Sequence, residues 1–133
     1  MKLKKELIKD WLLMAQIDIK SAEAALKDEI YSTVCFHSQQ AVEKSFKAFL
    51  LNFESEVIKT HDLLLLFQRS VKYESRLRKF KKNIGFLNKF YVPTRYPDAF
   101  PGSLPEGLPQ KPEAERSLKE AKEILKFLSE RLI

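Results

Sequence analysis

Apolar residues recur at steps of three and four along most of the chain, the spacing of a helix that buries one face. From Leu3 to about Lys27 they predict a long first helix, which contains neither glycine nor proline. A break is expected near Asp28-Glu29, followed by a second helix from about Tyr31 to Asn52. The predicted inner positions are Ile8, Trp11, Leu12, Ala15, Ile19, Ala22 and Leu26 in the first helix, and Val34, Cys35, Ser38, Val42, Phe46 and Phe49 in the second.

The remaining pattern predicts three more helices. Thr60 or Asp62 is placed to cap a short third helix, and because residues 63–67 are apolar on all sides, that helix is expected to be deeply buried. A fourth helix is expected over residues 74–90, and Pro112 suits the first position of a fifth. The predicted inner positions are Leu77, Phe80, Ile84, Leu87 and Tyr91, then Ala114, Leu118, Ala121, Leu125, Leu128 and Leu132. With no second strand candidate to form a sheet, the pattern predicts one all-α domain over residues 1–133.

A stretch rich in proline interrupts the helical pattern between the fourth and fifth helices. All six prolines lie between Pro93 and Pro112, together with Gly102 and Gly107. No helix runs through that spacing, so residues 92–111 are predicted to form a loop. A loop of about twenty residues within a compact domain is more often functional or disordered than a plain connector. The loop is therefore the first place to look for a site.

The net charge of +6 is concentrated in one segment, residues 69–89, which we call the basic segment. It holds eight basic residues and one acidic residue, whereas the rest of the chain holds 16 basic and 17 acidic residues. An excess of cations confined to one segment favours an anionic partner such as a nucleotide or RNA. The alternative is an ordinary solvated helix face. The eight basic residues are Arg69, Lys72, Arg76, Arg78, Lys79, Lys81, Lys82 and Lys89.

Several classes of protein are not favoured by the sequence. The amino terminus is basic, but Lys9, Asp10, Gln16 and Asp18 interrupt its apolar stretch, so neither a signal peptide nor a membrane span is expected. We therefore expect a cytoplasmic protein without membrane contact. The single Cys35 cannot form an internal disulfide, and two histidines offer no zinc-ligand spacing, so neither a metal nor another cofactor is expected.

Four polar residues of the second helix share a narrow sector opposite its apolar stripe: His37, Gln40, Lys44 and Lys47. Imidazole, amide and ammonium groups together could hydrogen-bond a phosphate or a base edge. The alternative is an ordinary solvent-exposed helix face. Within the same helix, Glu43 and Lys47 are interpreted as a surface ion pair without a function, and Cys35 as a small buried residue.

The loop supplies a second group of candidates, Arg95, Tyr96 and Asp98. The guanidinium of Arg95 can hold a phosphate or carboxylate with two parallel hydrogen bonds, and Tyr96 offers a face for stacking. Alternatively, Arg95 pairs with Asp98 or Asp62 and holds the loop against the helices. His61, next to the start of the third helix, is either a capping or packed residue or part of the same anion site.

Taken in order, these features resemble the HEPN domain family of small helical bundles. The resemblance covers nearly the whole chain: a first helix with Trp11, then residues 38–48 (SQQAVEKSFKA), then residues 60–63 (THDL), then residues 95–98 (RYPD). It implies an up-and-down bundle of four to five helices with a long proline-rich loop before the last. It also implies a homodimer and a partnership with a small nucleotidyltransferase, sometimes within a toxin–antitoxin pair.

Several members of the family are metal-independent ribonucleases that use an arginine followed four to six residues later by a histidine. This chain departs from that pattern. Its histidines stand at positions 37 and 61, before its first arginine, Arg69, and Phe100 stands five residues after Arg95. Ribonuclease activity through that motif is therefore not expected. A pairing in space of His61 with Arg95 would be a rearranged alternative.

Three hypotheses follow. The first is a non-catalytic, dimeric module that binds a nucleotide or RNA and serves or restrains a separate nucleotidyltransferase. The basic segment, the polar sector of the second helix, and the residues His61, Arg95, Tyr96 and Asp98 would then make the anion contacts. The second hypothesis is a ribonuclease-type toxin with a rearranged site. The third is a scaffold that binds a protein partner and no nucleotide.

Overall fold

The chain folds into an all-helical bundle, according to a computed structural model that describes residues 2–91 and 107–132. Within these ranges there are five α-helices, one 3-10 helix and no strand, so the predicted fold class is confirmed. The helices are α1 (Lys4–Lys27), α2 (Tyr31–Leu51), α3 (Leu63–Val71), a 3-10 helix (Ser75–Phe80), α4 (Lys81–Asn88) and α5 (Lys111–Ser129). Most of the predicted loop, with Arg95, Tyr96 and Asp98, lies outside the described residues.

Helix α2 is the central element, because α1, α3, α4 and α5 all pack against it. From Ala41 onward every residue of α2 except Lys44 is buried, including the three that carry charge or hydroxyl groups, Glu43, Ser45 and Lys47. All six inner positions predicted for this helix are buried. The polar side of α2 is therefore covered by other helices as well.

The hydrophobic core consists of two clusters that Ile19 and Phe86 join, since both pack against each cluster. The larger cluster surrounds Phe46 and Phe49 of α2 where α3, the 3-10 helix and α5 meet. The smaller one lies between the alanines of α1, the start of α2 and the start of α5, and it contains Cys35. Burial raises the pKa of the Cys35 thiol to about 11, so this cysteine stays a protonated, inert core residue.

The helices begin and end at or close to the residues expected from the sequence. Glu29 adopts a left-handed conformation with φ 61° and separates α1 from α2. Asp62 caps α3, because its Oδ1 accepts the backbone N–H of Leu64 at 3.0 Å. Helix α5 begins at Lys111, one residue before the predicted Pro112; its first residues lack helical partners for their N–H groups, so proline is tolerated at either position.

Two predictions about the helices were wrong in detail. Leu64 and Leu65 of α3 are 39% and 44% exposed, so only one side of that helix is buried. The predicted fourth helix is split, since residues 75–80 form a 3-10 helix ahead of α4. At its start the Glu74 carboxylate accepts the Arg76 N–H at 3.1 Å and also pairs with the Arg76 and Arg131 guanidinium groups. These contacts, with Arg76 first, lower the pKa of Glu74 to about 2.

None of the helices in the described part of the chain is long and apolar enough to cross a lipid bilayer.

Candidate functional site

The polar sector predicted on α2 is not an outer surface, and that prediction was wrong. The side chains of His37, Lys44 and Lys47 are 28%, 18% and 7% exposed. Helix α1 lies against this side of α2, and the ammonium groups are already paired with carboxylates. The sector therefore cannot offer an open row of cations to a phosphate.

One of these carboxylates is Asp18 of α1, a residue that sequence reasoning passed over. Its side chain is only 8% exposed and lies between two residues of α2. Asp18 Oδ1 is 2.8 Å from His37 Nδ1, and Asp18 Oδ2 is 2.5 Å from Lys44 Nζ. The signal in the sequence was its place on the inner stripe, three residues after Ala15 and four before Ala22. A carboxylate on a packed face requires partners from another helix.

The second carboxylate is Glu43 of α2, whose side chain is 3% exposed. Lys47 Nζ donates to its Oε2 at 2.9 Å, and Lys47 itself lies 5.4 Å from the centre of the Trp11 ring. The interpretation of Glu43 and Lys47 as a surface pair was therefore wrong, because both groups are removed from water. Such a buried pair contributes little net stability by itself, but its carboxylate is placed to hold further polar groups.

His61 is the group that Glu43 positions. His61 Nδ1 lies 3.1 Å from Glu43 Oε1, and the imidazole ring stacks on Tyr91 with centroids 4.5 Å apart. Gln39, fully buried on α2, donates from Nε2 to the backbone oxygen of His61 at 3.2 Å. The side chain of His61 nevertheless remains 55% exposed. Its Nε2 forms no hydrogen bond to any residue in the described ranges, so it can face an incoming molecule.

The backbone around His61 is fixed from both sides. Asp62 Oδ1, besides capping α3, accepts Asn88 Nδ2 at 3.0 Å, while Asn88 Oδ1 accepts the Leu63 N–H at 2.8 Å. Gln40 completes the group, with its Nε2 2.7 Å from Gln39 Oε1 and 3.4 Å from Glu43 Oε1. The structure therefore gathers Gln40, Lys47 and His61 around Glu43, and His37 and Lys44 around Asp18.

The eight cations of the basic segment differ in whether they have a partner. Arg69 pairs with Glu54 and Arg76 with Glu74, while the ammonium groups of Lys79 and Lys89 lie over the rings of Phe127 and Phe86. The other four cations are exposed and form no ion pair with any residue that the structure describes. These four, which we call the free cations, are Lys72, Arg78, Lys81 and Lys82. They follow α3 and continue through the 3-10 helix into the start of α4.

Over the described residues, no three His, Cys, Asp or Glu side chains lie close enough together to hold a metal ion. Both histidines use Nδ1 to contact a carboxylate, which leaves Nε2 of each ring to accept or donate a hydrogen bond or to transfer a proton.

The comparisons with known proteins agree on one family. The model of the HEPN domain matches residues 8–132. The protein of Methanocaldococcus jannaschii named "Putative toxin MJ1304" is 31% identical over 126 residues, which cover 87% of this chain and 82% of that protein. The crystal structure of TT1696 from Thermus thermophilus superposes with a TM-score of 0.78 at 31% identity, covering 94% of this chain and 98% of that one.

A second solved structure, ST0689, is described as an archaeal HEPN homologue. It superposes with a TM-score of 0.70 at 26% identity and covers 98% of both chains. The matched range begins in α1 and runs through α5, so it includes the Asp18 and Glu43 networks and the basic segment. From its sequence and its fold together, the chain belongs to the HEPN domain family.

Proposed function

We propose that this protein is a non-catalytic RNA-binding module whose anion contacts come from the free cations of the basic segment, and that it serves a separate small nucleotidyltransferase. The observation that carries the RNA-binding proposal is the exposure of Lys72, Arg78, Lys81 and Lys82 without carboxylate partners among the described residues. The resemblance to helical domains that accompany nucleotidyltransferases supports the proposed partnership with a nucleotidyltransferase. The α2 sector, whose lysines are already paired, has no part in the phosphate contacts.

The free cations suit RNA because all four are exposed and lie within residues 72–82, so they can contact successive phosphates of one strand. Exposed ammonium and guanidinium groups that contact phosphates release condensed counterions, so the affinity depends on salt. Four such contacts to single-stranded RNA predict a slope of about −3 in a plot of log affinity against log salt concentration. Between 50 and 200 mM salt, the affinity should then fall about 50-fold.

The test measures the affinity for a single-stranded RNA across this salt range. In the triple variant Arg78→Gln/Lys81→Gln/Lys82→Gln the slope should shrink to about −0.7, because one of four contacts remains. The matched control is Lys4→Gln/Lys5→Gln/Lys9→Gln, which removes three exposed lysines from α1 and should keep the original slope. A slope near zero in the unmodified protein, or an equal loss in both variants, would overturn the proposal.

A second candidate function is metal-independent RNA cleavage of the toxin type, and the geometry of His61 favours it. A buried carboxylate on Nδ1 fixes the tautomer and orientation of an imidazole, which leaves Nε2 to move a proton. Nε2 would take the proton of a 2′-hydroxyl, whose oxygen would then attack the neighbouring phosphorus. A water molecule would protonate the departing 5′ oxygen, the imidazolium would return its proton to the solvent, and the other fragment would end in a 2′,3′-cyclic phosphate.

Purified protein in EDTA, incubated with RNA, separates the two candidates. If His61 transfers the proton, the unmodified protein should release fragments with 2′,3′-cyclic phosphate ends, and His61→Gln should slow their release about 10²- to 10⁴-fold. His37→Gln is the control, since it alters the other carboxylate-bound imidazole. No cleavage by the unmodified protein, or cleavage that His61→Gln retains, would exclude this mechanism and leave the binding module.

A further inference from the structure

Two exposed aromatic rings lie beside the first of the free cations. Phe53 and Tyr73 are 45% and 41% exposed, and no other Phe, Tyr or Trp within residues 2–91 and 107–132 is as exposed. Tyr73 directly follows Lys72 in the chain. Aromatic rings are usually buried, because their burial contributes strongly to stability. A pair of rings left in water next to unpaired cations therefore indicates a contact surface for a ligand.

The two rings form a parallel stack that the hydrophobic core supports from behind. Their planes are 8° apart and their centroids 4.5 Å apart. Phe53 also contacts Phe49, a buried residue of α2, with centroids 5.1 Å apart. One face of Tyr73 is therefore covered by Phe53. Within the described part of the chain, no other ring and no cation lies against Tyr73, so its exposed area belongs to the second face.

The hydroxyl group of Tyr73 fixes the orientation of its ring. It donates to Glu54 Oε2 at 2.8 Å, and the two oxygens of that carboxylate accept Arg69 Nε at 3.0 and 3.1 Å. The hydrogen bond to Glu54 raises the pKa of Tyr73, so the phenol stays protonated at neutral pH. Because Arg69 balances the charge of Glu54, the carboxylate that holds the ring does not repel a phosphate strongly. The ring is thus in place before a ligand arrives, which reduces the entropy cost of binding.

The 3-10 helix begins two residues after Tyr73 and arranges the cations along its length. Side chains three residues apart line up along the axis of such a helix. Leu77 and Phe80 form the buried row, so Arg78 and Lys81 share a second row that faces outward. The six residues span about 12 Å, long enough to follow the backbone of a bound strand away from the ring.

We propose that the exposed face of Tyr73, backed by Phe53, stacks on one unpaired base of a single-stranded RNA whose phosphates contact the free cations. This inference rests on the proposed RNA binding and names its substrate class, strands with unpaired bases. Proteins bind single strands of varied sequence by combining a cationic surface with aromatic rings, since every base has a face that can stack. The bases of a duplex are already stacked on one another, so a duplex contacts the cations alone.

Two ligands that differ only in their bases isolate the stacking. One is a short oligoadenylate, and the other is the same ribose–phosphate backbone without bases. In Tyr73→Ala the affinity for the oligoadenylate should fall about 5- to 150-fold, the range for one stacked base, while the affinity for the backbone without bases should not change. The salt slope for the oligoadenylate should remain at about −3, because the four phosphate contacts are kept.

Three further variants control for the fold and for apolar contact. Tyr73→Phe keeps the ring and should retain most of the affinity. Tyr73→Leu keeps the apolar volume without a ring, and it replaces the alanine variant if that variant fails to fold in a thermal melt. Leu65→Ala is the matched control, since it truncates a side chain of α3 that is 44% exposed and should leave both affinities unchanged.

The outcomes separate the stacking site from the RNA-binding proposal. An equal loss of affinity for both ligands in Tyr73→Ala would mean that the ring only supports the fold, and it would overturn the stacking site. Unchanged binding of the oligoadenylate, with the salt slope retained, would overturn the stacking site alone. A salt slope near zero in the unmodified protein would overturn the RNA-binding proposal and the stacking site with it.

Discussion

Replacing Glu43 by leucine is expected to lower the free energy of unfolding by about 3–5 kcal/mol. The substitution leaves the ammonium of Lys47, 7% exposed, without the carboxylate 2.9 Å away. A buried charge without a carboxylate partner loses its hydration, and the Trp11 ring 5.4 Å away offsets only part of that loss. The loss should appear in urea unfolding as a lower midpoint with an unchanged slope.

Two further variants identify the cause of this loss. Glu23→Leu removes the carboxylate of an exposed ion pair with Lys122 and should cost less than about 1 kcal/mol. The double variant Glu43→Leu/Lys47→Met removes both buried charges and should recover most of the stability, since apolar replacements of a buried pair are often neutral. If Glu43→Leu costs no more than Glu23→Leu, Lys47 reaches water in solution.

The double variant also separates stability from function. It retains a packed site but no longer holds His61 Nδ1, which in the native protein lies 3.1 Å from Glu43 Oε1. If the protein cleaves RNA through His61, the double variant should be folded and nearly inactive. If the protein only binds RNA through the free cations, the same variant should bind normally. The double variant therefore tests the role of the imidazole without altering the basic segment.

Hydrophobic periodicity was sufficient to predict the fold because the helices around α2 each bury one face. The sequence located the break at Asp28-Glu29, where the left-handed Glu29 ends a helix, and left Thr60 or Asp62 as the cap of α3, of which the structure has Asp62. Periodicity failed between residues 75 and 80, because Leu77 and Phe80 are three residues apart and fit a 3-10 turn as well as an α-helix. The Glu74 contacts, which select the tighter turn, include Arg131 from the other end of the chain.

The site was harder to predict because polar residues on a helix are expected to face water. Asp18 and Glu43 are buried between helices, and only partners brought together by the fold, His37, Lys44 and His61, satisfy them. One signal was available: α2 carries only three charged residues in 21, far fewer than α1, as expected for a helix buried on all sides. The candidates Arg95, Tyr96 and Asp98 stay predictions, since they lie outside the described residues.

The larger core cluster depends on Phe46 of α2. Phe46→Ala is expected to lower the free energy of unfolding by about 3–5 kcal/mol. Phe46 is fully buried, three residues from Glu43 on α2, in the cluster shared by α3, the 3-10 helix, α4 and α5. Truncation removes its transfer free energy and leaves a cavity that five elements would have to move to fill. For a domain of this length, the melting temperature should fall by about 10–20 °C.

Phe53→Ala is the matched control, because it removes the same ring just beyond the end of α2. Phe53 is 45% exposed and stacks on Tyr73 with centroids 4.5 Å apart, so its loss should cost about 1 kcal/mol, within the range for an aromatic pair. A similar cost for both variants would mean that the cluster around Phe46 collapses into the cavity. A loss at Phe46 comparable to that of Glu43→Leu would mean that α2 depends on its apolar and its charged side alike, as expected for a helix enclosed by all the others.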